Sequence, residues 1–148
     1  MINRFTNKVK FSEWSNSLVP PVSAGVYAIW EGLTLIYCGM SGREIEKNQH
    51  KKKYGLVTRL NSHSSGRLSG DQFCVYVANR LVIPSLKQAD LPKFASGELK
   101  LDTLTKQYIH ANLEYQFVVV DTSKEAFDLE HQARSGIVFG QKPMLNPI

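Results

Sequence analysis

Hydrophobic and polar positions alternate along the chain in blocks whose period switches between two and about three and a half, and each switch marks an element. The first clear block covers 26–30 and 33–38, two runs rich in Val, Ile, Leu, Tyr and Trp that are separated by Glu31 and Gly32. β-Branched and aromatic runs split by a Gly-containing turn predict an antiparallel hairpin. Strand side chains alternate faces, so Tyr27 is expected beside Ile29 and Tyr37 beside Leu35. Both phenols then lie near the open end of one ribbon, where Gly25 and Gly39 leave backbone space beside them. Upstream, Phe11, Trp14 and Leu18 recur at spacings of three and four, which predicts a short helix over one sheet edge. Pro20 and Pro21 then deliver the chain extended into the hairpin.

Beyond the hairpin, 42–54 is polar, without hydrophobic period, and reads as an inserted loop. Leu56 and Leu60 stand one helical turn apart and Gly66 suits a helix C-terminus, which predicts a helix of two to three turns. Arg59 and His63 leave the same face of it. The run 73–78 predicts a third strand, whereas 79–100, interrupted by Pro84, Pro92 and Gly97, predicts an irregular second insertion. Leu101, Leu104, Tyr108 and Ala111 recur at helical spacing, with Asp102 as the N-cap candidate, and 115–120 has the continuous apolar character of an interior strand. Thr122 and Glu125 have capping-box spacing and open a last helix that ends at Gly136, with Ala126, Phe127, Leu129 and Ala133 on its inner face. Together these predict an α+β fold with a central, mostly antiparallel β-sheet flanked by α-helices. Residues 1–148 form one domain, with 1–23 as an N-terminal extension and 42–54 and 79–100 as insertions.

Composition narrows the class: 43% hydrophobic and 21% charged residues describe an ordinary globular chain. No apolar run approaches the roughly 18 residues of a membrane span, and the first residues lack an apolar signal core, so a cytoplasmic protein with no membrane partner is expected. Cys38 and Cys74 both fall in runs expected to be buried strands, which argues against a disulfide and offers too few ligands for zinc. The charge of +5 changes the picture once it is located. Residues 42–67 hold Arg43, Lys47, Lys51, Lys52, Lys53, Arg59 and Arg67 against Glu44 and Glu46, so the whole excess lies in one segment. Cations concentrated in this way suit a phosphate backbone, the bland alternative being a solvated basic loop.

One carboxylate stands out. Glu130 shares the apolar stripe of the last helix, four after Ala126 and three before Ala133, where desolvation is costly unless a cation or hydrogen-bond donors compensate. Taken singly, a strand tyrosine is usually a packing residue and a helix histidine usually a surface one.

The combination is more specific. Gly25-Val26-Tyr27, followed ten positions after the first tyrosine by Tyr37-Cys38-Gly39, resembles the pair of tripeptides that names the GIY-YIG nuclease superfamily. That superfamily's pattern continues with an arginine on the next helix, a glutamate on a later helix and an asparagine behind it. The matching positions are Arg59, Glu130 and Asn146, and His63 is similar to a feature of the restriction-enzyme branch. Val26 and Cys38 replace isoleucines, and the longer gap before Arg59 leaves Arg43 and Arg67 as competitors for its role. The resemblance covers 24 to the C-terminus. It implies a metal-dependent endonuclease hydrolysing DNA, of restriction or phage-defence type, with Glu130 as ligand of one Mg²⁺ or Mn²⁺. Arg59 would hold the phosphate, and Tyr37 would bind the phosphate or orient the water. Tyr27 or His63 would be the general base, and Asn146 would keep helix and tail in register. Arg43, Lys47, Lys51, Lys52, Lys53 and Arg67 would bind the nucleic acid, with specificity from the insertions, a homodimer or a partner subunit. Alternatives are a structure-specific repair or recombination nuclease, a partner-directed catalytic domain, and a nucleic-acid-binding module without turnover.

Overall fold

The computed structural model describes residues 2–15, 19–21, 23–42 and 55–147. Four antiparallel strands form one sheet in the order β1-β4-β2-β3, namely β1 (Val9–Lys10), β2 (Ala24–Glu31), β3 (Thr34–Ser41) and β4 (Glu114–Val120). Helices α1 (Leu56–Ser64), α2 (Gln72–Val77), α3 (Leu91–Ala95), α4 (Leu101–Asn112) and α5 (Ser123–Arg134) complete an α+β fold. Among the described residues, no helix is long and apolar enough to cross a membrane.

Alternation on the strands builds two apolar layers, one on each side of the sheet. Tyr27, Ile29, Tyr115 and Phe117 pack with Leu56, Leu60, Phe73, Val77 and Ile109 from α1, α2 and α4. Val26, Ala28, Trp30, Cys38 and Val118 pack with Ala126, Leu129 and Ala133 from α5. A β-bulge modifies the expected alternation: Ile29 pairs with Tyr37 and Trp30 with Leu35, which leaves Ile36 unpaired between them. Leu35 consequently joins the α5 layer while Ile36 and Tyr37 pack in the other, so Tyr37 shares a face with Tyr27 and Ile29 but not with Leu35.

The run 73–78 is a helix instead of the expected third strand. Phe73, Cys74, Val77 and Ala78 are its buried positions, a helical spacing, and the Asp71 carboxylate caps the helix by accepting the Cys74 N–H at 3.0 Å. Tertiary burial and the cap override the strand preference of Val and Tyr. The 79–100 stretch is also more regular than expected. It holds a π-helical turn (Ala78–Val82), two 3₁₀ turns (Ile83–Ser85 and Gln88–Asp90) and α3, with Pro84 and Pro92 in first-turn positions where a missing N–H costs nothing. Near the N-terminus, the helix expected over Phe11, Trp14 and Leu18 is a single 3₁₀ turn, Phe11–Glu13, with Leu18 outside the described residues. Phe11 and Trp14 instead clamp Tyr115 of β4 with ring centroids 4.9 and 5.7 Å away.

Only the N-cap half of the expected box forms at α5, Thr122 Oγ1 accepting the Glu125 N–H at 3.1 Å while the Glu125 carboxylate accepts the Asp121 N–H at 3.4 Å instead of that of Thr122; Gly136 leaves the helix at φ 92°. Its inner face differs at one position. Ala126, Leu129 and Ala133 are buried but Phe127 is 61% exposed, because spacings of three and four from Ala126 carry the stripe away from the adjacent residue.

Candidate active site

Tyr27, Tyr37, Arg59 and His63 meet on the α1 side of the sheet. β2 and β3 set the two phenols with ring centroids 6.4 Å apart, and α1 lays its Arg59 and His63 face against them. Cross-strand pairing puts Gly39 opposite Tyr27, and the Tyr27 ring folds over it: a Cβ at Gly39 would lie 2.2 Å from the phenol oxygen. Gly25 serves otherwise. Its open side is filled by Leu56 of α1 and the Val118 carbonyl oxygen of β4, so that glycine admits close helix–strand packing and not a phenol.

The Tyr27 hydroxyl lies 2.7 Å from Nε2 of His63, and Nδ1 of His63 lies 2.7 Å from Oδ2 of Asp71. All three side chains are buried, with residue exposures of 1%, 0% and 3%. Asp71 also accepts the Ser62 hydroxyl at 2.5 Å and the Cys74 N–H at 3.0 Å. Burial would raise its pKa, but the hydrogen bonds from His63, Ser62 and the Cys74 N–H outweigh that and hold the carboxyl far below the usual carboxylate range. Burial lowers the pKa of His63 despite the opposing pull of Asp71, with the Arg59 charge adding to the fall. Burial also pushes the Tyr27 phenol well above its ordinary value, against the lowering influence of the Arg59 charge. Tyr37 is raised for the same first reason, with the Arg59 charge opposing the rise and the Asp71 charge, then that of Glu130, adding to it.

Asp71 is the residue that sequence reasoning missed. A signal existed, an aspartate two residues before an apolar run, but the run reads as a strand and a strand needs no cap.

Glu130 is not brought into this cluster; it lies on the other side of the sheet. α5 packs in the opposite layer from Tyr27, and the Glu130 side chain, 13% exposed, pairs with Arg134 at 3.3 Å, one turn along its own helix. Its charge acts on Tyr37 and on the Cys38 thiol, which burial chiefly, and Glu130 in addition, push up to about 12. The partner of Glu130 among the described residues is Arg134, not Arg59. Asn146 closes the β3 edge. Its side chain accepts the Cys38 N–H at 2.8 Å and donates to the Cys38 carbonyl at 2.9 Å, while Met144 and Leu145 donate to the Leu35 and Ile36 carbonyls. The tail therefore acts as a partner strand for β3 and satisfies groups an edge leaves bare. Arg134 ties the same tail to α5 through the Pro147 carbonyl at 3.0 Å.

A divalent hard cation is commonly held by one or two carboxylates completed by waters and phosphate oxygens, and Glu130 offers oxygen chemistry of that kind. Among the described residues no three His, Cys, Asp or Glu side chains gather into an all-protein cage. Of the expected nucleic-acid contacts, Arg67 is exposed just past α1, while Arg43, Lys47, Lys51, Lys52 and Lys53 lie outside the described residues. At the C-terminal end of α5, a cleft of about 530 Å³ is lined by His131, Arg134 and Lys142 with Pro143 and Pro147. Comparison with family models, with curated proteins and with solved structures finds no match for this chain.

Proposed function

We propose that this chain is an endonuclease of the GIY-YIG type that hydrolyses DNA phosphodiester bonds. The observation that carries the reading is the convergence of Tyr27, Tyr37, Arg59 and His63, from two strands and a helix, around a 2.7 Å Tyr27–His63 hydrogen bond. In-line hydrolysis requires a water relieved of its proton, compensation of charge on the phosphoryl oxygens and relief at the leaving oxygen. Arg59 supplies a planar cation suited to the phosphate, and losing one such stabiliser costs about 3–4 kcal/mol of barrier. Tyr37, half-buried, orients the water or the phosphate, and Tyr27 with His63 behind it takes up the proton. Glu130 would hold Mg²⁺ or Mn²⁺, competing with Arg134 for the carboxylate; when bound, such an ion stabilises charge on the phosphoryl and leaving oxygens. Restriction or phage defence is the role we assign to such cutting. The cations concentrated in 42–67 suit a phosphate backbone, and Arg134 and Lys142 add positive charge to the cleft at the end of α5.

A binding module without turnover is favoured by one observation, the 1% exposure of Tyr27, which closes its phenol from solvent. Incubating plasmid and branched DNA with the purified protein in Mg²⁺ or EDTA separates the readings. Discrete Mg²⁺-dependent bands support restriction-type cutting, branch-dependent nicks a structure-specific nuclease, and binding without cuts the module. Glu130→Gln is expected to abolish cleavage while preserving metal-free DNA binding, and persistent cleavage would remove Glu130 from the mechanism.

A further inference from the structure

We propose that Asp71 is a positioning residue that fixes the tautomer of His63, so that Tyr27, His63 and Asp71 form a one-way proton relay leading away from the substrate. The proposal deepens the endonuclease reading and rests on it for the identity of the reaction, but its geometry stands independently. An ionised carboxylate only accepts hydrogen bonds. Both Asp71 oxygens are engaged, Oδ1 by the Cys74 N–H at 3.0 Å and Oδ2 by the Ser62 hydroxyl at 2.5 Å, which leaves the 2.7 Å contact from His63 Nδ1 to be made by an N–H. A neutral imidazole that donates at Nδ1 must accept at Nε2. Nε2 faces the Tyr27 hydroxyl at 2.7 Å, so the phenol donates to the ring. The lone pairs of the Tyr27 oxygen are thereby left free of His63, and substrate binding has to open the phenol, 1% exposed at rest, for a water to reach it.

The remaining surroundings agree. Phe73 lies 4.6 Å and Tyr37 5.9 Å from the His63 ring between centroids, and the Cys74 thiol donates to the His63 carbonyl at 3.5 Å. Asp71 and Arg59 are the charged groups that act on the imidazole, one from the turn before α2 and one from α1. Burial favours the neutral ring at rest, and Asp71 stabilises the imidazolium once it forms. In the step itself the water O–H breaks as a new O–H forms on Tyr27, and the original Tyr27 O–H breaks as N–H forms at Nε2. One proton has then moved from water to His63, no electrons are exchanged, and the hydroxide attacks phosphorus. A histidine held by a buried carboxylate on one side and aligned with a hydroxyl on the other is the arrangement that makes Ser-His-Asp triads work, here with a phenol in the first place.

The test reads the tautomer directly. In the ¹⁵N-labelled full chain at pH 7.5, long-range ¹⁵N–¹H correlation should show His63 neutral and protonated at Nδ1, with the signal assigned by its loss in His63→Gln. An Nε2–H tautomer or an imidazolium would overturn the proposal. In Asp71→Asn, an amide facing Nδ1 should move the proton to Nε2 and lower the DNA-cleavage kcat by about 10²–10⁴-fold with KM nearly unchanged, while Asp71→Glu regains part of the rate. A folded Asp71→Asn variant with unchanged tautomer and unchanged rate would also overturn it. If the protein cuts no DNA yet shows the Nδ1–H tautomer, the endonuclease reading fails and the control of His63 by Asp71 stands.

Discussion

Gly39 gives the sharpest quantitative handle on the site. Its backbone needs no left-handed conformation, so Gly39→Ala carries no backbone penalty, and a strand alanine should even gain about 0.5–1 kcal/mol over glycine from chain entropy. Against this, the new methyl would lie 2.2 Å from the Tyr27 oxygen, 2.4 Å from its Cζ and 3.0 Å from its Cε1. These atoms belong to a rigid ring confined by His63, Tyr37 and the Gly39 strand itself, so the ring has to swing as a unit. Overpacking a tight core costs about 1–3 kcal/mol, and breaking the 2.7 Å bond to His63 leaves a buried hydroxyl and a buried imidazole unpaired for about 1–3 kcal/mol more. The expected loss is about 1–5.5 kcal/mol after the entropy gain, read from urea unfolding midpoints at pH 7.5. The control is a double-mutant cycle with Tyr27→Leu, which lacks the Cζ and hydroxyl that the methyl would strike. In that background Gly39→Ala should be neutral or mildly stabilising. An equal cost in both backgrounds would show that the methyl meets something other than Tyr27 and would refute the packing account.

Three further outcomes are expected. Asn146→Ala frees the Cys38 N–H and carbonyl on the β3 edge and should lower stability by about 1–3 kcal/mol in thermal unfolding; a smaller change than about 0.5 kcal/mol would mean that the backbone bonds of Met144 and Leu145 hold the tail unaided. Acidification should destabilise the fold in two stages. The folded-state pKa of His63 is lowered, so its contribution is complete above the unfolded value of about 6.5 and is lost as pH falls below it; that of Asp71 is also lowered, so its contribution is complete above about 4 and drains away under that. Urea midpoints should fall from pH 7.5 to 5, and His63→Gln should remove most of that fall; a midpoint that rises on acidification contradicts both directions. Finally, Phe127→Ser should change stability by no more than about 0.5 kcal/mol, whereas Leu129→Ala, two residues on and buried, should cost about 2–5 kcal/mol in the same assay.

The sequence by itself determined the elements whose signals are local. The hairpin, α1, α4, β4 and α5 follow from period, caps and turn glycines, since each needs only neighbours within a few residues to declare itself, although α4 begins one residue before the expected cap, with Lys100 and not Asp102 at its N-cap. Strand and helix geometry paired Tyr27 with Tyr37 and Arg59 with His63, and the family resemblance joined the two pairs into one group. Three features were settled only by the tertiary structure. The Ile36 bulge reversed the face of Leu35 relative to Tyr37, and nothing in alternation alone reveals an inserted residue. The run from Phe73 became a helix because its burial lies on one side and Asp71 caps it, the same Asp71 that meets His63 eight residues back. Glu130 was set in the opposite layer from Tyr27 and Asn146 came to the β3 edge from the tail, placements that depend on how the chain crosses the sheet. Local pattern encodes which face a side chain takes; which distant faces are brought together is decided by packing the whole chain into two layers around one sheet.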